Sequence, residues 1–240
     1  MELKFFDTIS ELDQYAAQLF ATTLANKPHA ALGLATGSTP VGIYGKIIEM
    51  YQRGEISFRD ATTFNLDEYV GLPPEHDQSY AYYMKQHLFA HIDLPGKQAH
   101  LPKGTAPDLA AECKEYDRML EEQPVDIQLL GLGHNGHIGF NEPNGELQGG
   151  THIVELKEET REANARFFGS LDEVPKQAVT MGVGSILKAR TVLLVVKGAD
   201  KAEIVKRALT GPITTECPAS LLQTHANVIV LLDKEAGRLL

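Results

Sequence analysis

The stretch "VDIQLLGLGHNGHIGFNEPNG", residues 125–145, decides the fold class. Its first seven residues are short, apolar and bounded by polar neighbours, the pattern of a strand covered on both faces. Four more runs read the same way: "AALGLA" (30–35), "ATTFNL" (61–66), "TVLLVV" (191–196) and "NVIVLL" (227–232). Between them lie helical patterns such as "DLAAECKEYDRMLEEQ" (108–123) and "DKAEIVKRALTG" (200–211), the second closing on a glycine at the expected C-terminal position. From Thr8 a capping box with Glu11 opens a helix that places Ile9, Leu12, Ala16, Leu19, Phe20 and Leu24 at helical spacing. Strands alternating with helices give an α/β protein: a single-domain, Rossmann-like open sheet, mostly parallel, with helices on both faces. In such sheets ligands gather beyond the carboxyl ends of the strands, so each motif is weighed by whether it falls there.

The bounds agree. At 240 residues the chain fits one large α/β domain with no linker, repeat or low-complexity tract. The longest apolar runs are far too short to cross a bilayer, and "MELKFFDTIS" lacks the parts of a secretory signal. Cys113 and Cys217 stand in unrelated contexts, so neither a disulfide framework nor a thiolate zinc site is indicated. The expectation is a cytoplasmic protein with no membrane partner. A formal charge of −10 argues against general affinity for nucleic acid, while a local basic pocket for one small anion stays open.

Three motifs fall at strand ends. In "LGLATGSTPVGIYGKIIEM" a strand runs through Gly37, Ser38 and Thr39 into Pro40 and a helix. Free backbone N–H groups and two hydroxyls at a helix start suit a phosphate, and the alternative is an ordinary capped turn. In "TTFNLDEYVGLPPEHDQSY" the adjacent carboxylates Asp67 and Glu68 end a strand pattern. Alone they read as solvent-facing or N-capping groups. Successive strand side chains point to opposite faces, however, so one of the two can enter a cleft and act as a general base. In the stretch quoted first, His137 stands among glycines and near Asn135 and Glu142, a set able to orient an imidazole and share its proton. His134 reads as a solvent-facing loop residue and Phe140 as a packing one. The two histidines lie in a glycine loop without a further cluster, so no metal site is indicated.

Together "GLATGSTP", "FNLDEYVGL", "GLGHNGHIGFNEP" and "ANARFF" resemble the glucosamine-6-phosphate deaminase family. The related 6-phosphogluconolactonases share the fold and a similar Gly-His loop but end that loop differently. The resemblance implies conversion of glucosamine 6-phosphate to fructose 6-phosphate and ammonia, with neither metal nor organic cofactor. It makes Asp67 the base that moves a proton between C2 and C1 through a cis-enolamine. It makes His137, supported by Glu142 and Asn135, the group that opens the pyranose ring. The phosphate sits on Gly37, Ser38 and Thr39, helped by Arg166 and Lys201, and residues 156–178 form a lid. Many family members carry aspartate where this chain has Asn135. The partner implied is a small-molecule sugar phosphate. Few basic residues follow "FNEP", with no arginine or lysine before Lys157, which leads to an expected monomer or small homo-oligomer without effector activation. Two other classes stay open: a lactonase-like hydrolase and a non-catalytic sugar-phosphate sensing domain.

Overall fold

The chain opens with strand β1 (Glu2–Phe6), an edge strand absent from the sequence reading, and helix α1 (Ile9–Asn26). The capping box of α1 is present: Thr8 Oγ1 accepts the Glu11 N–H at 3.2 Å and Glu11 Oε2 accepts the Thr8 N–H at 3.0 Å. Leu12, Ala16, Phe20 and Leu24 are buried, each large side chain contributing roughly 2 kcal/mol of transfer free energy. Ile9 departs from the expected stripe. It lies in the first turn, beyond the reach of the sheet, and is 50% exposed.

There follow β2 (Ala31–Leu34), α2 (Val41–Gln52), β3 (Thr62–Asn65), β4 (Asp67–Tyr69), α3 (Tyr80–His87), β5 (Ala99–His100), α4 (Leu109–Glu122) and β6 (Ile127–Leu130). The chain continues through β7 (His152–Glu155), α5 (Glu158–Ala165), β8 (Gln177–Thr180), α6 (Val183–Leu187), β9 (Thr191–Val196), α7 (Ala202–Thr210) and β10 (Val228–Asp233). This computed structural model describes residues 1–165 and 168–240. All five apolar runs are strands of one sheet, ordered β1-β10-β9-β6-β2-β3-β5, with parallel pairing throughout. Its central strands β2, β3 and β6 are buried at every residue, which is why their sequences are continuous apolar runs rather than alternating ones.

Helices α1 and α2 pack on each other; since β1-α1-β2 and β2-α2-β3 cross the sheet in one direction and β5-α4-β6 and β9-α7-β10 in the other, the right-handed crossover rule assigns the two pairs of helices to opposite faces. From β2 the chain winds outward to β3, whereas from β6 it winds the opposite way to β9. The winding reverses between β2 and β6, so the loops after these two strands border a crevice at the carboxyl edge.

A second, antiparallel sheet, β4-β8-β7, stands beside that edge and was not foreseen. Asp67 and Glu68 therefore begin a further strand rather than ending one. Leu66 is the joint: its N–H donates to Leu34 O in the main sheet, and its carbonyl accepts the Met181 N–H next to the small one. Strand β7 is half exposed and too short to announce itself. Cys113 and Cys217 are both buried and unbridged. Among the described residues no helix is long and apolar enough to cross a membrane.

Candidate active site

The loop after β6 doubles back, with the Gly133 N–H donating to His137 O at 3.0 Å and the Gly136 N–H to Gly133 O at 2.9 Å. This fold lays the His137 ring across Gly133, where an added Cβ would stand 2.2 Å from the ring. Only glycine leaves the imidazole that seat. His137 Nδ1 is 2.7 Å from Asn135 Oδ1, and Asn135 Nδ2 donates to Glu142 Oε2 at 2.5 Å. A carboxylate can only accept, so Asn135 must turn its amide NH2 to buried Glu142 and its carbonyl to the histidine. A carbonyl also only accepts, which puts the proton on Nδ1 and leaves Nε2 with a free lone pair. Glu142 Oε2 is itself 3.6 Å from Nδ1, on the far side of the ring from Nε2.

Asp67 and Glu68 are both buried, and alternation on β4 sends them to different surroundings. Glu68 Oε1 accepts the N–H groups of Tyr69 and Tyr80, and Oε2 that of Ala81, each at 2.9 Å. It thereby closes the N-terminus of α3 together with the capping Ser79 hydroxyl. Asp67 has no hydrogen bond among the described residues. Burial, reinforced by the Glu68 charge, pushes its carboxyl from 3.8 up to about 8. Burial raises Glu68 as well, but its three amide donors pull the other way, so Glu68 ionises first. The Asp67 carboxyl borders the histidine loop: a Cβ on Gly139 would lie 3.5 Å from Asp67 Oδ2 and 3.2 Å from Thr180 Oγ1.

The turn Gly37-Ser38-Thr39 follows β2, with Gly37 at φ +91°. Gly37 and Ser38 line a cavity of about 430 Å³ whose walls include Tyr69, Tyr80, Tyr83 and Phe168. Thr39 Oγ1 faces the other way, 3.6 Å from the Cβ position of Gly131 at the end of β6. Lys201, in the turn that leads into α7, donates to Leu132 O at 2.8 Å and approaches His134 Nδ1 at 3.1 Å. Partial burial lowers its pKa, while neighbouring Asp200 raises it. Thus Thr39, Gly131, Leu132 and Lys201 form one connected edge of the crevice. Arg166 lies outside the described residues.

The structure joins Asn135, His137 and Glu142 in one network, sets Asp67 against the same loop, and brings Lys201 to the foot of that loop. The lining of the 430 Å³ cavity takes in neither Asp67 nor His137; the stacked rings of Tyr80 and Phe140, with Tyr69 tilted against both, form the wall beside it. Phe140 packs, as expected. His134 is 71% exposed at its side chain yet bonded, its Nε2 2.6 Å from Asp200 Oδ2. Sequence reasoning missed Gly133, Thr180 and Asn141. Thr180 Oγ1 accepts the Phe140 N–H, and Asn141 Nδ2 bridges Ile138 O and Met181 O, tying the loop to β8. Gly133 was legible in the loop's glycines; nothing in the sequence linked Thr180 to it across 40 residues.

The family model described as glucosamine-6-phosphate isomerases/6-phosphogluconolactonase matches residues 6–231. The chain belongs to this family. Within it, the chain is 48% identical to a glucosamine-6-phosphate deaminase of Halothermothrix orenii, with all of both chains covered. It is 52% identical to one of Bacillus velezensis, with 95% of each covered. A solved structure of a monomeric glucosamine-6-phosphate deaminase matches at TM-score 0.96 and 47% identity over the whole of both chains. The 6-phosphogluconolactonase of Thermotoga maritima matches at TM-score 0.77 but 17% identity, covering 97% of this chain and 99% of its own, which establishes a shared fold alone.

Proposed function

We propose that the chain isomerises and deaminates glucosamine 6-phosphate, which with water gives fructose 6-phosphate and ammonia. What supports this reading is the pair of groups suited to acid–base work that flank the histidine loop: a buried Asp67 carboxyl with no hydrogen bond among the described residues, and a His137 ring held through Nδ1 by Asn135, which Glu142 orients in turn. Ring opening and enolisation move protons on different atoms at different moments, so two separately placed groups are needed. His137 Nε2 takes the anomeric hydroxyl proton and returns one to the ring oxygen. Asp67 then takes the C2 proton and delivers it to C1 through a cis-enolamine. A carboxyl raised to about 8 is a strong base once ionised, and the cationic amine of the substrate favours that ionisation.

The phosphate rests on the Gly37-Ser38-Thr39 turn, with Lys201 at its edge and Arg166 completing the site from a lid spanning residues 156–178. That segment is anchored between β7 and β8, and its Phe168 packs edge-on against Tyr69 in the wall of the cavity. Closure excludes water from the enolamine. The enzyme works in the cytoplasm as a monomer or small homo-oligomer, on a sugar phosphate and without nucleic acid, membrane or cofactor. Relatives near half identity that are named deaminases support this reading over the lactonase one. Ammonia release from glucosamine 6-phosphate, coupled to a dehydrogenase, is expected, and hydrolysis of 6-phosphogluconolactone is not. The reverse pattern would overturn the assignment.

A further inference from the structure

We infer that Lys197 and Asp13 are positioning residues for phosphate recognition, a buried ion pair that orients the Gly37-Ser38-Thr39 turn. The inference rests on the reading of that turn as the phosphate site. Lys197 is the residue immediately after β9. Its Nζ lies 2.5 Å from Asp13 Oδ1 on α1 and donates to Thr39 O at 2.8 Å. The side chains are 15% and 7% exposed, so the contact is shielded rather than a surface pair. Asp13 Oδ2 presses on the first turn of α2, 2.0 Å from the place a Cβ on Gly42 would occupy. Position 42 must be glycine for the carboxylate to fit. Two distant segments, α1 and the end of β9, are thereby fastened to the start of α2.

The fastening has a chemical sense. The carbonyl of Thr39 is held by Lys197, and that of Gly37 by the Tyr83 hydroxyl at 2.6 Å. Among the described residues, the amides of Gly37, Ser38 and Thr39 have no acceptor. In a trans peptide the N–H points opposite to the carbonyl, so anchoring Gly37 O directs the Ser38 N–H the other way. A carbonyl oxygen turned toward an anion repels it, and the two anchors keep both oxygens engaged elsewhere. The turn then offers an incoming phosphate its N–H and hydroxyl groups. Asp13 balances the Lys197 charge, so the pair adds little net attraction of its own. Its effect is orientation, the use for which a costly buried pair is best suited.

The test compares the parent with Lys197→Met and with the double variant Asp13→Asn/Lys197→Met, which leaves no unpaired buried charge. Inorganic phosphate binding is measured by calorimetry, alongside KM and kcat for ammonia release and the thermal midpoint. Losing a hydrogen bond to a charged group predicts that phosphate Kd and KM rise together by about tenfold or more in both variants, with kcat within about threefold. The double variant regains the thermal midpoint lost by the single one while its phosphate affinity stays weak. A double variant that binds phosphate like the parent, or one that loses only stability or kcat, overturns the inference. A parent that binds phosphate but releases no ammonia refutes the proposed function, and weakened phosphate binding in the variants then still upholds this one.

Discussion

Replacing Asp67 by asparagine tests the site in two independent ways. The amide keeps the shape and removes the proton acceptor, and general base catalysis is worth about a hundred- to ten-thousand-fold, so ammonia release falls by that factor with KM nearly unchanged. The same change also alters stability. Asp67 rises from 3.8 unfolded to about 8 folded, so the folded chain holds a proton that the unfolded chain has lost throughout the interval between. Stability of the parent therefore falls as pH rises through that window. At pH 7 the burden is a little over three pH units at about 1.4 kcal/mol each, about 4 kcal/mol. Asparagine does not titrate, and a buried neutral carboxyl and a buried amide have similar desolvation costs. Urea unfolding of parent and variant should therefore agree near pH 4 and diverge up to pH 8, the variant being the more stable. Parallel stability profiles would refute the desolvation argument, and ammonia release at near the parental rate would refute the role of Asp67 as base.

Glu68→Ala removes the acceptor of three amides, two of them at the start of α3 and one in β4, and should cost about 1–2 kcal/mol in urea unfolding, with ammonia release kept within about tenfold. Complete inactivation of a folded Glu68→Ala protein would move the base assignment to Glu68. Gly133→Ala inserts a methyl 2.2 Å from the His137 ring, so kcat should drop at least about tenfold while overpacking costs about 1–3 kcal/mol; an unchanged kcat would show that the ring position is immaterial. Asn135→Asp deletes the amide donor to Glu142 and sets a second carboxylate beside the imidazole, which should displace the pH–rate profile. A profile superimposable on the parent's would mean that Asn135 has no electrostatic part. Initial velocity against glucosamine 6-phosphate should be hyperbolic with or without N-acetylglucosamine 6-phosphate, since the first lysine or arginine after "FNEP", Lys157, already donates to Pro143 O; a sigmoidal curve relieved by the effector would reveal a second site.

The main sheet was legible because its strands are covered on both faces, and complete burial leaves a continuous apolar signature. The small sheet was not. Strand β7 exposes every second residue at the margin of the domain, and β4 is three residues of which two are acidic. The chemistry of the histidine loop was legible for a different reason: Asn135, His137 and Glu142 are close in sequence, so their network needs no tertiary knowledge. Lys197 and Asp13, 184 residues apart, carry no local sign of each other.

Asp67 and Glu68 mark the boundary between what a sequence can and cannot say. Strand alternation requires that two neighbouring carboxylates face apart, but it does not choose which one enters the crevice. The choice is made by α3, whose N-terminus arrives over Glu68 with two amides and fixes that charge in place. Asp67, on the opposite face, receives burial and its neighbour's field with no compensating donor among the described residues. The capping residue and the candidate base are thus products of one arrangement: burial raises Glu68, each amide donated to it favours its ionised form against that burial, and its charge in turn holds the Asp67 proton more tightly. The pair works as a unit in which the structural carboxylate tunes the chemical one.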